Sequence, residues 1–448
     1  MGMSQAGDTR QIRSFAVAVA VVGTVFAVHA PAAAETLSEV VETALSTHPL
    51  VAGSKAGFQA AKEDIDRERS GLLPQLSSTL DSGYQRTRRI DSPDNKKHAW
   101  RNTQRLAMTQ LLFDGFETIN RTDSAKASAE SARYVLLSSA TQIAQRAVNA
   151  YLSVGRDRER VQSSLENILY HREMLENVTE AAVQGGGSTS EVAQVRTRLL
   201  NARSQRRELE AVLRNLIEDY IEAVGQSPGD VEVPDLLIGQ IPLSIDDAMP
   251  VARENSFDLL ASEERERAAG FNAESTLGRF FPTVDLELAG ERRDNRDGNR
   301  GHETDYTALV RMSWDIYAGG RDAATRRQAL EEESQAKFQV REIDRLLRES
   351  LATALNDYEA ARDRVALQQD RLRTAIQVRE AYQEQFRLAQ RTLLDLLNSR
   401  QEQFEAEIDL IAVRYELLAT SYDIFAISGT LLDNLDVEVP SDAATAVQ

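Results

Sequence analysis

The chain contains no cysteine in 448 residues, which excludes disulfides, thiolate metal sites and a lipidated N-terminal cysteine. Proline is sparse and unevenly placed: none lies between Pro93 and Pro228, and none between Pro282 and Pro440. Because proline breaks helices, each gap leaves room for long ones. Aromatic residues make up only 6% and charged residues 27%, lean for a compact globule and ordinary for long helices. Positive charge is in deficit. The formal net charge of −18 argues against a nucleic-acid partner, because phosphate binding needs a basic face. Enzyme signatures are absent as well: there is no G-x-S-x-G elbow and no phosphate loop. The five histidines, His29, His48, His98, His171 and His302, are scattered and form no metal-binding pair at i, i+4. The sequence therefore predicts no enzyme, no metal and no cofactor.

Long apolar runs are also missing beyond the N-terminus. Arg10 and Arg13 precede FAVAVAVVGTVFAV at 15–28, and APAAAE follows, with Ala32 and Ala34 in A-x-A spacing before Glu35. These are the three parts of a secretory signal peptide at 1–34, with cleavage expected near Ala34. The alternative is a membrane anchor, but the run is about 14 residues, short of the roughly 18 to 20 needed to span. The mature protein is expected to be exported, and it would enter a membrane only without spanning helices.

What is present is present twice. RSGLLPQLSSTLDSGY (69–84) matches LGRFFPTVDLELAGE (277–291), and QLLFDGFE (110–117) matches DIYAGGRD (315–322). AVNAYLSVGRDRERV (147–161) likewise matches ALNDYEAARDRVALQ (354–368). The offset is about 204 to 208 residues throughout, which marks an internal duplication. Each copy reads as a helix, two strands, a long helix and another helix. The first repeat, 35–224, is expected to hold a helix at 37–71, strands at 75–86 and 101–113, and helices at 117–184 and 189–224. A linker at 225–244 leads to the second repeat, 245–435. There a helix is expected at 245–279, strands at 283–293 and 304–316, and helices at 320–389 and 392–433. Residues 436–448 read as a disordered tail.

The long helices carry a seam. Leu137, Ala140, Ala144, Ala147, Tyr151, Val154, Val161, Leu165, Ile168 and Leu175 follow alternating steps of three and four, interrupted by Arg158 and Arg172. Leu347, Leu351, Ala354, Tyr358, Ala361, Val365, Leu372, Ala375, Tyr382, Phe386 and Ala389 do the same, interrupted by Gln368 and Arg379. A 3.5-residue repeat keeps one stripe facing a partner helix and implies a coiled coil. Each long helix covers about 65 residues, or roughly 100 Å at 1.5 Å per residue. No single globular core is that long, so the chain builds a rod or a tube wall.

The strands have two different faces. Val284, Leu286 and Leu288 alternate with Asp285 and Glu287. Tyr306, Ala308, Val310, Met312 and Trp314 alternate with Thr307, Leu309, Arg311, Ser313 and Asp315. LSSTLDSGY (76–84) alternates more weakly, and RLAMTQLLF (105–113) blurs at its end. The connections at 87–100 and 292–303 are too polar for hydrocarbon. One reading is an α+β domain whose sheet packs on its own helices. The other places lipid against Val284, Leu286, Leu288, Val310, Met312 and Trp314 and water against the charged face, the pattern of an outer-membrane barrel. Four strands cannot close a barrel, and an open edge in lipid leaves backbone groups unpaired at several kcal/mol each. The second reading therefore demands oligomerisation: two copies give about eight strands and a filled interior, three give about twelve and a lumen. Trp100 and Trp314 are candidates for the membrane–water boundary.

The duplicated layout, the LLPQL and RFFPT entries to the strands, the LFDG and YAGG exits and the RTLLDLLN segment resemble the TolC family of outer-membrane channels. AYQEQFRLAQRTLLDLLNSRQEQFEA (381–406) is most similar to members serving type I secretion. The resemblance spans about Leu37 to Leu435 and implies a mainly α fold with a transmembrane β-barrel part. It implies a homotrimer with a 12-stranded barrel in outer-membrane lipid, continued by an α-helical coiled-coil barrel through the periplasm. The implied partners are a periplasmic adaptor, an inner-membrane ABC transporter or other pump, and an exported protein substrate. Small-molecule efflux is the competing role within the family. A periplasmic coiled-coil adaptor is the competing class, but it needs a lipoyl-like or β-sandwich region, and none is visible between the helices.

QGGGSTSEV (184–192) and LAQRTLLDLLN (388–398) then read as equivalent turns at the end away from the membrane. Gly185, Gly186 and Gly187 supply backbone freedom, and Ser190 or Thr189 is expected to cap the next helix. The resemblance implies that this end is the periplasmic entrance. By position, Asp395 would ring the lumen, against the alternative of a solvated helix face, and Arg391 and Glu191 would make closing contacts. Asn398 stands where some relatives carry a second acid, and Phe386 where some carry tyrosine.

Overall fold

Two helical hairpins and one four-stranded sheet organise the chain. The structure, a computed structural model, describes residues 35–87, 97–234, 241–242, 244–295 and 301–438. The signal segment, much of the linker, the tail after 438 and the centres of both polar strand connections lie outside the described residues. In order come α1 (Leu37–Thr47), α2 (Pro49–Arg69), a 3-10 turn at Ser70–Leu72, β1 (Gln75–Thr87), β2 (Lys97–Phe113), α3 (Glu117–Val183) and α4 (Thr189–Val224). The second half repeats the order with α5 (Ile245–Asn255), α6 (Phe257–Ser275), a 3-10 turn at Gly278–Phe280, β3 (Thr283–Asp294), β4 (His302–Ser313), α7 (Arg321–Arg387) and α8 (Leu393–Ile427). A short α9 (Leu431–Asn434) follows.

Several boundaries differ from the sequence expectation. The helix expected at 37–71 is two helices, because His48 precedes Pro49 and is driven to extended backbone (φ −74°, ψ 127°). His48 then caps α2, its Nδ1 accepting from the amide of Leu50 at 3.2 Å. The helix expected at 245–279 breaks at Ser256, which is also extended (φ −67°, ψ 108°). The helix expected at 392–433 stops at Ile427, where Gly429 turns the chain at φ +73° and the amide of Thr430 donates to Phe425 O at 2.9 Å. β4 ends at Ser313, so Trp314 lies beyond the strand, with Nε1 donating to Phe280 O at 3.2 Å.

The sheet order is β1-β2-β3-β4, antiparallel throughout. Register between β2 and β3 jumps from Leu111↔Asp285 to Phe113↔Val284. This bulge at Leu112 is why alternation fades in RLAMTQLLF. Among the described residues no helix packs on either face of the sheet, whose main neighbour beyond its own strands is the 3-10 turn at Ser70–Leu72. The α+β reading, with the sheet packed on its own helices, is therefore not what the chain does.

The long helices α3 and α7 have 67 residues each. α3 packs against α2 and α4 and also against α6 and α8, while α7 packs against α6 and α8. The main core surrounds the middle of α3 (Leu136, Ile143, Ala147, Tyr151), with Val40 and Val41 of α1, Leu351 of α7 and Ile424 of α8. Burial of each such large aliphatic side chain contributes about 1.5–3 kcal/mol. The seam read from α3 holds only as far as Val154. Beyond it the buried positions are Gly155, Asp157, Ser163, Ser164, Asn167, His171 and Val178, and Val161, Leu165, Ile168 and Leu175 are half-buried. The reason is the partner: this stretch of α3 meets Ser399, Arg400 and Gln403 of α8, which are buried and polar. All described residues belong to one compact unit, Ala34–Gln448.

Candidate functional site

The two hairpin turns have one design. In the first, the amide of Gly186 donates to Ala181 O at 2.9 Å and that of Gly185 to Ala182 O at 3.2 Å. Gly185 is left-handed at φ +84°, which a side chain resists, and a Cβ on Gly187 would lie 3.2 Å from Ala182 N. In the second turn, the amide of Gln390 donates to Gln385 O at 2.8 Å and that of Ala389 to Phe386 O at 3.0 Å. Here Ala389, not glycine, occupies the left-handed position at φ +56°.

Each turn feeds a capping box. The cap of α4 is Ser188, not Thr189 or Ser190: its Oγ accepts from Glu191 N at 3.3 Å, and its amide donates to Glu191 Oε2 at 2.8 Å. Thr392 caps α8 in the same way, with Asp395 as the returning acid (2.8 Å between Thr392 Oγ1 and Asp395 Oδ2). Glu191 and Asp395 are thus equivalent residues of the two repeats. Hydrogen bonds from the Thr392 hydroxyl and amide hold the Asp395 carboxyl below the usual carboxylate range, helped by nearby Arg391.

The gate residues expected from the sequence are partly brought together. Arg391 NH1 lies 3.9 Å from Asp395 Oδ2, its Nε donates to Gln385 Oε1 at 3.0 Å, and its guanidinium stacks 4.4 Å from the Tyr382 ring. Glu191 bonds Ser188 within its own turn. Asn398 accepts from Arg198 NH2 of α4 at 2.8 Å, joining the two hairpins.

Sequence reasoning missed what lies beside these residues. Val178 of α3, Val195 of α4 and Leu393 and Leu397 of α8 form a separate small apolar cluster, with Met174, Leu175, Val192 and Phe386 packed on it. Phe386, a position of the apolar seam read along α7, packs on this cluster. The polar layer of α3 and α8 is a second feature. Arg400 Nε donates to Asn167 Oδ1 at 3.2 Å, its guanidinium sits 5.4 Å from the Tyr170 ring, and Gln403 donates to Glu407 at 2.7 Å. His171, 1% exposed, has its pKa pushed down to about 4 by burial and by the positive charges of Arg400 and Arg198. The heptad interruptions on α3 did not signal this layer: Arg158 donates to Gly229 O, and Arg172 is exposed and pairs with Glu176.

The sheet is two-faced by register. Val284 pairs with Met312, Leu286 with Val310 and Leu288 with both Met108 and Ala308, all on one face. Val310 and Met312 are 67% and 66% exposed. The other face carries ion pairs: Arg311 to Glu287 at 2.7 Å and Arg293 to Asp305 at 2.9 Å. Both edges, β1 and β4, lack a strand partner among the described residues.

An uncovered two-faced sheet, joined to helical hairpins roughly 100 Å long and closed by polar turns, defines a protomer of an outer-membrane channel. The family model described as "Outer membrane efflux protein" matches residues 40–216 and 248–430, and the chain belongs to that family. It is 26% identical over 426 residues to the outer membrane efflux protein BepC of Brucella suis biovar 1 (strain 1330), covering 95% of this chain and 92% of BepC. It is 22% identical over 420 residues to the alkaline protease secretion protein AprF of Pseudomonas aeruginosa, covering 88% of this chain and 84% of AprF. Its fold matches the outer-membrane channel OprN with a TM-score of 0.77 at 19% identity, over 88% of this chain and 90% of that one. The chain is a TolC-family channel of the outer membrane, with its helical part in the periplasm. Such channels serve tripartite systems with an adaptor and an inner-membrane transporter; they are not enzymes, and the family match excludes the adaptor reading.

Proposed function

We propose that three copies of the chain close a 12-stranded barrel and a helical tube, and that the tube passes an exported protein from an inner-membrane ABC transporter and its adaptor to the exterior. The observation that carries the trimer is the pair of unpaired edges, β1 and β4, on a sheet whose apolar face is bare. Pairing β4 of one copy with β1 of the next satisfies every edge and leaves a lumen. Exposed apolar residues on α7, including Phe338 and Leu367, support further burial between copies. In this assembly Val284, Leu286, Leu288, Val310 and Met312 face lipid, Trp314 sits near the boundary, and the Arg311–Glu287 face lines water. The turns form the entrance, where three Asp395 carboxylates ring the lumen and Arg391 reaches Glu191 of a neighbouring copy.

Protein secretion is supported by the RTLLDLLN segment and by the full-length likeness to AprF. A second reading, small-molecule efflux, is supported by the higher identity to BepC. Deleting the gene and comparing culture media tests both. Loss of one large secreted protein is expected; unchanged secretion with heightened sensitivity to small toxic compounds would replace the first reading with the second.

A further inference from the structure

Two neighbouring arginines of β3 have opposite surroundings. Arg293 lies on the charged face, where it donates to Glu291 at 2.5 Å and to Asp305 at 2.9 Å. Arg292 lies on the apolar face, four residues beyond Leu288 on the same side of the strand. It is exposed there, and its ion pair is with Asp294 at 3.8 Å, longer than a hydrogen bond. Asp294 is itself engaged by His302 Nδ1 at 2.5 Å. Register sets Arg292 in one row with Gln104 of β2 and Thr304 of β4, both exposed. The next row toward the helices holds Leu106, Gly290 and Tyr306, and Tyr306 is 86% exposed. A cation flanked by an amide and a hydroxyl therefore ends an apolar stripe.

Height decides what this row meets. Thr304 precedes Trp314 by ten positions, roughly 34 Å along an extended chain. At the strand tilt of a membrane barrel, about 40°, this is a rise of about 26 Å, close to the apolar band of roughly 25 Å. With Trp314 at one boundary, Arg292, Gln104 and Thr304 stand at the other. A cation there escapes most of the penalty it carries at mid-bilayer. The helical part lies in the periplasm, so the sheet end that carries the strand connections faces the exterior, and the lipid beside this row is the outer leaflet. We propose that Arg292, with Gln104 and Thr304, holds the phosphate of an outer-leaflet lipid, one site in each protomer; this rests on the reading that the apolar face meets lipid. Phosphate suits the row because a guanidinium gives it two parallel N–H bonds, while the amide and the hydroxyl supply further donors. A choline headgroup covers its phosphate with its own cation, so a bare phosphate monoester binds better.

Native mass spectrometry of the protein purified from outer membranes tests this, with phosphatidic acid and phosphatidylcholine of the same acyl chains in equal amounts. Phosphatidic acid is expected to be retained about fivefold more at each site, the gain from one arginine near a lipid surface. Arg292→Gln is expected to remove most of that preference. Arg105→Gln, opposite Glu291 on the charged face, is expected to leave it, and excess inorganic phosphate is expected not to displace the lipid. Flotation with neutral phosphatidylcholine vesicles tests the underlying reading, and both the parent and Arg292→Gln should float. A protein that floats but holds the two lipids equally, or keeps its preference in Arg292→Gln, overturns the phosphate site alone. Displacement by inorganic phosphate overturns the lipid as its ligand. A protein that stays out of the vesicles overturns the lipid-facing sheet as well.

Discussion

Truncating Leu397 to alanine tests whether the small apolar cluster latches the entrance. Leu397 is fully buried, and its neighbours Val178, Val195 and Leu393 come from three helices in two hairpins. Below the cluster, the α3–α8 contact is polar and its Asn167 Nδ2, Tyr170 OH and His171 Nδ1 have no hydrogen-bond partner among the described residues. Such a layer resists separation less than an apolar one, so the cluster and the Arg198–Asn398 bond are the main restraints on parting the hairpin ends. A buried Leu→Ala change costs about 2–5 kcal/mol. The cluster is small and partly open, so the lower figure applies. If the contact is broken in the open state, about 2 kcal/mol multiplies the open-to-closed ratio roughly thirtyfold in each protomer. Single-channel recording of the purified protein in planar bilayers should show the open fraction rising steeply, with Arg198→Ala producing a smaller rise. Thermal melting separates the alternatives. A lowered melting temperature with an unchanged open fraction would mean that the cluster persists in both states, and the latch argument would fail.

Three further outcomes are expected. Asp395→Asn should weaken block by divalent cations. Because Thr392 holds the Asp395 carboxyl below the usual range, block in the parent should survive acidification through pH 5 and fade only below the ordinary carboxylate range; fading between pH 7 and 5 would contradict this. His171 is a base with a depressed pKa, so the unfolded chain binds its proton first, and stability is lost as pH falls from about 6.5 to about 4. The loss should reach up to about 3 kcal/mol, and His171→Gln should flatten that part of the melting-temperature profile. Ala389→Gly should stabilise the second turn by about 1 kcal/mol and Gly185→Ala should destabilise the first by a similar amount, because both positions are left-handed; calorimetry giving the same sign for both would refute the equivalence of the turns.

The sequence was most legible where one period ran without competition. Proline-free stretches gave α3 and α7 almost to the residue, since nothing in 117–183 or 321–387 breaks a helix. The alternation of Val284, Leu286 and Leu288 gave β3 and its faces. Reading failed where a local feature overrode the period. Pro49 acted through the residue before it, Gly429 ended α8 early, and the bulge at Leu112 disguised a strand end. The hairpin turns were half legible. Asp395, Arg391 and Glu191 stood out as charges at a turn, and the structure explains Asp395 and Glu191 first as capping acids. Arg198 carried no signal, because one of several arginines along α4 looks like the others until Asn398 is placed opposite it.

Periodicity, punctuation and repetition are properties of the chain itself, and they determined the helices, the strands, the doubled order and the two unlike faces of the sheet. Only tertiary structure decided which helix faces which. Contacts between residues more than a hundred positions apart depend on how two hairpins lie together, and no local pattern encodes that distance. The apolar cluster, the Arg198–Asn398 bond and the polar layer around Arg400 all arise there, from pairs brought together by packing.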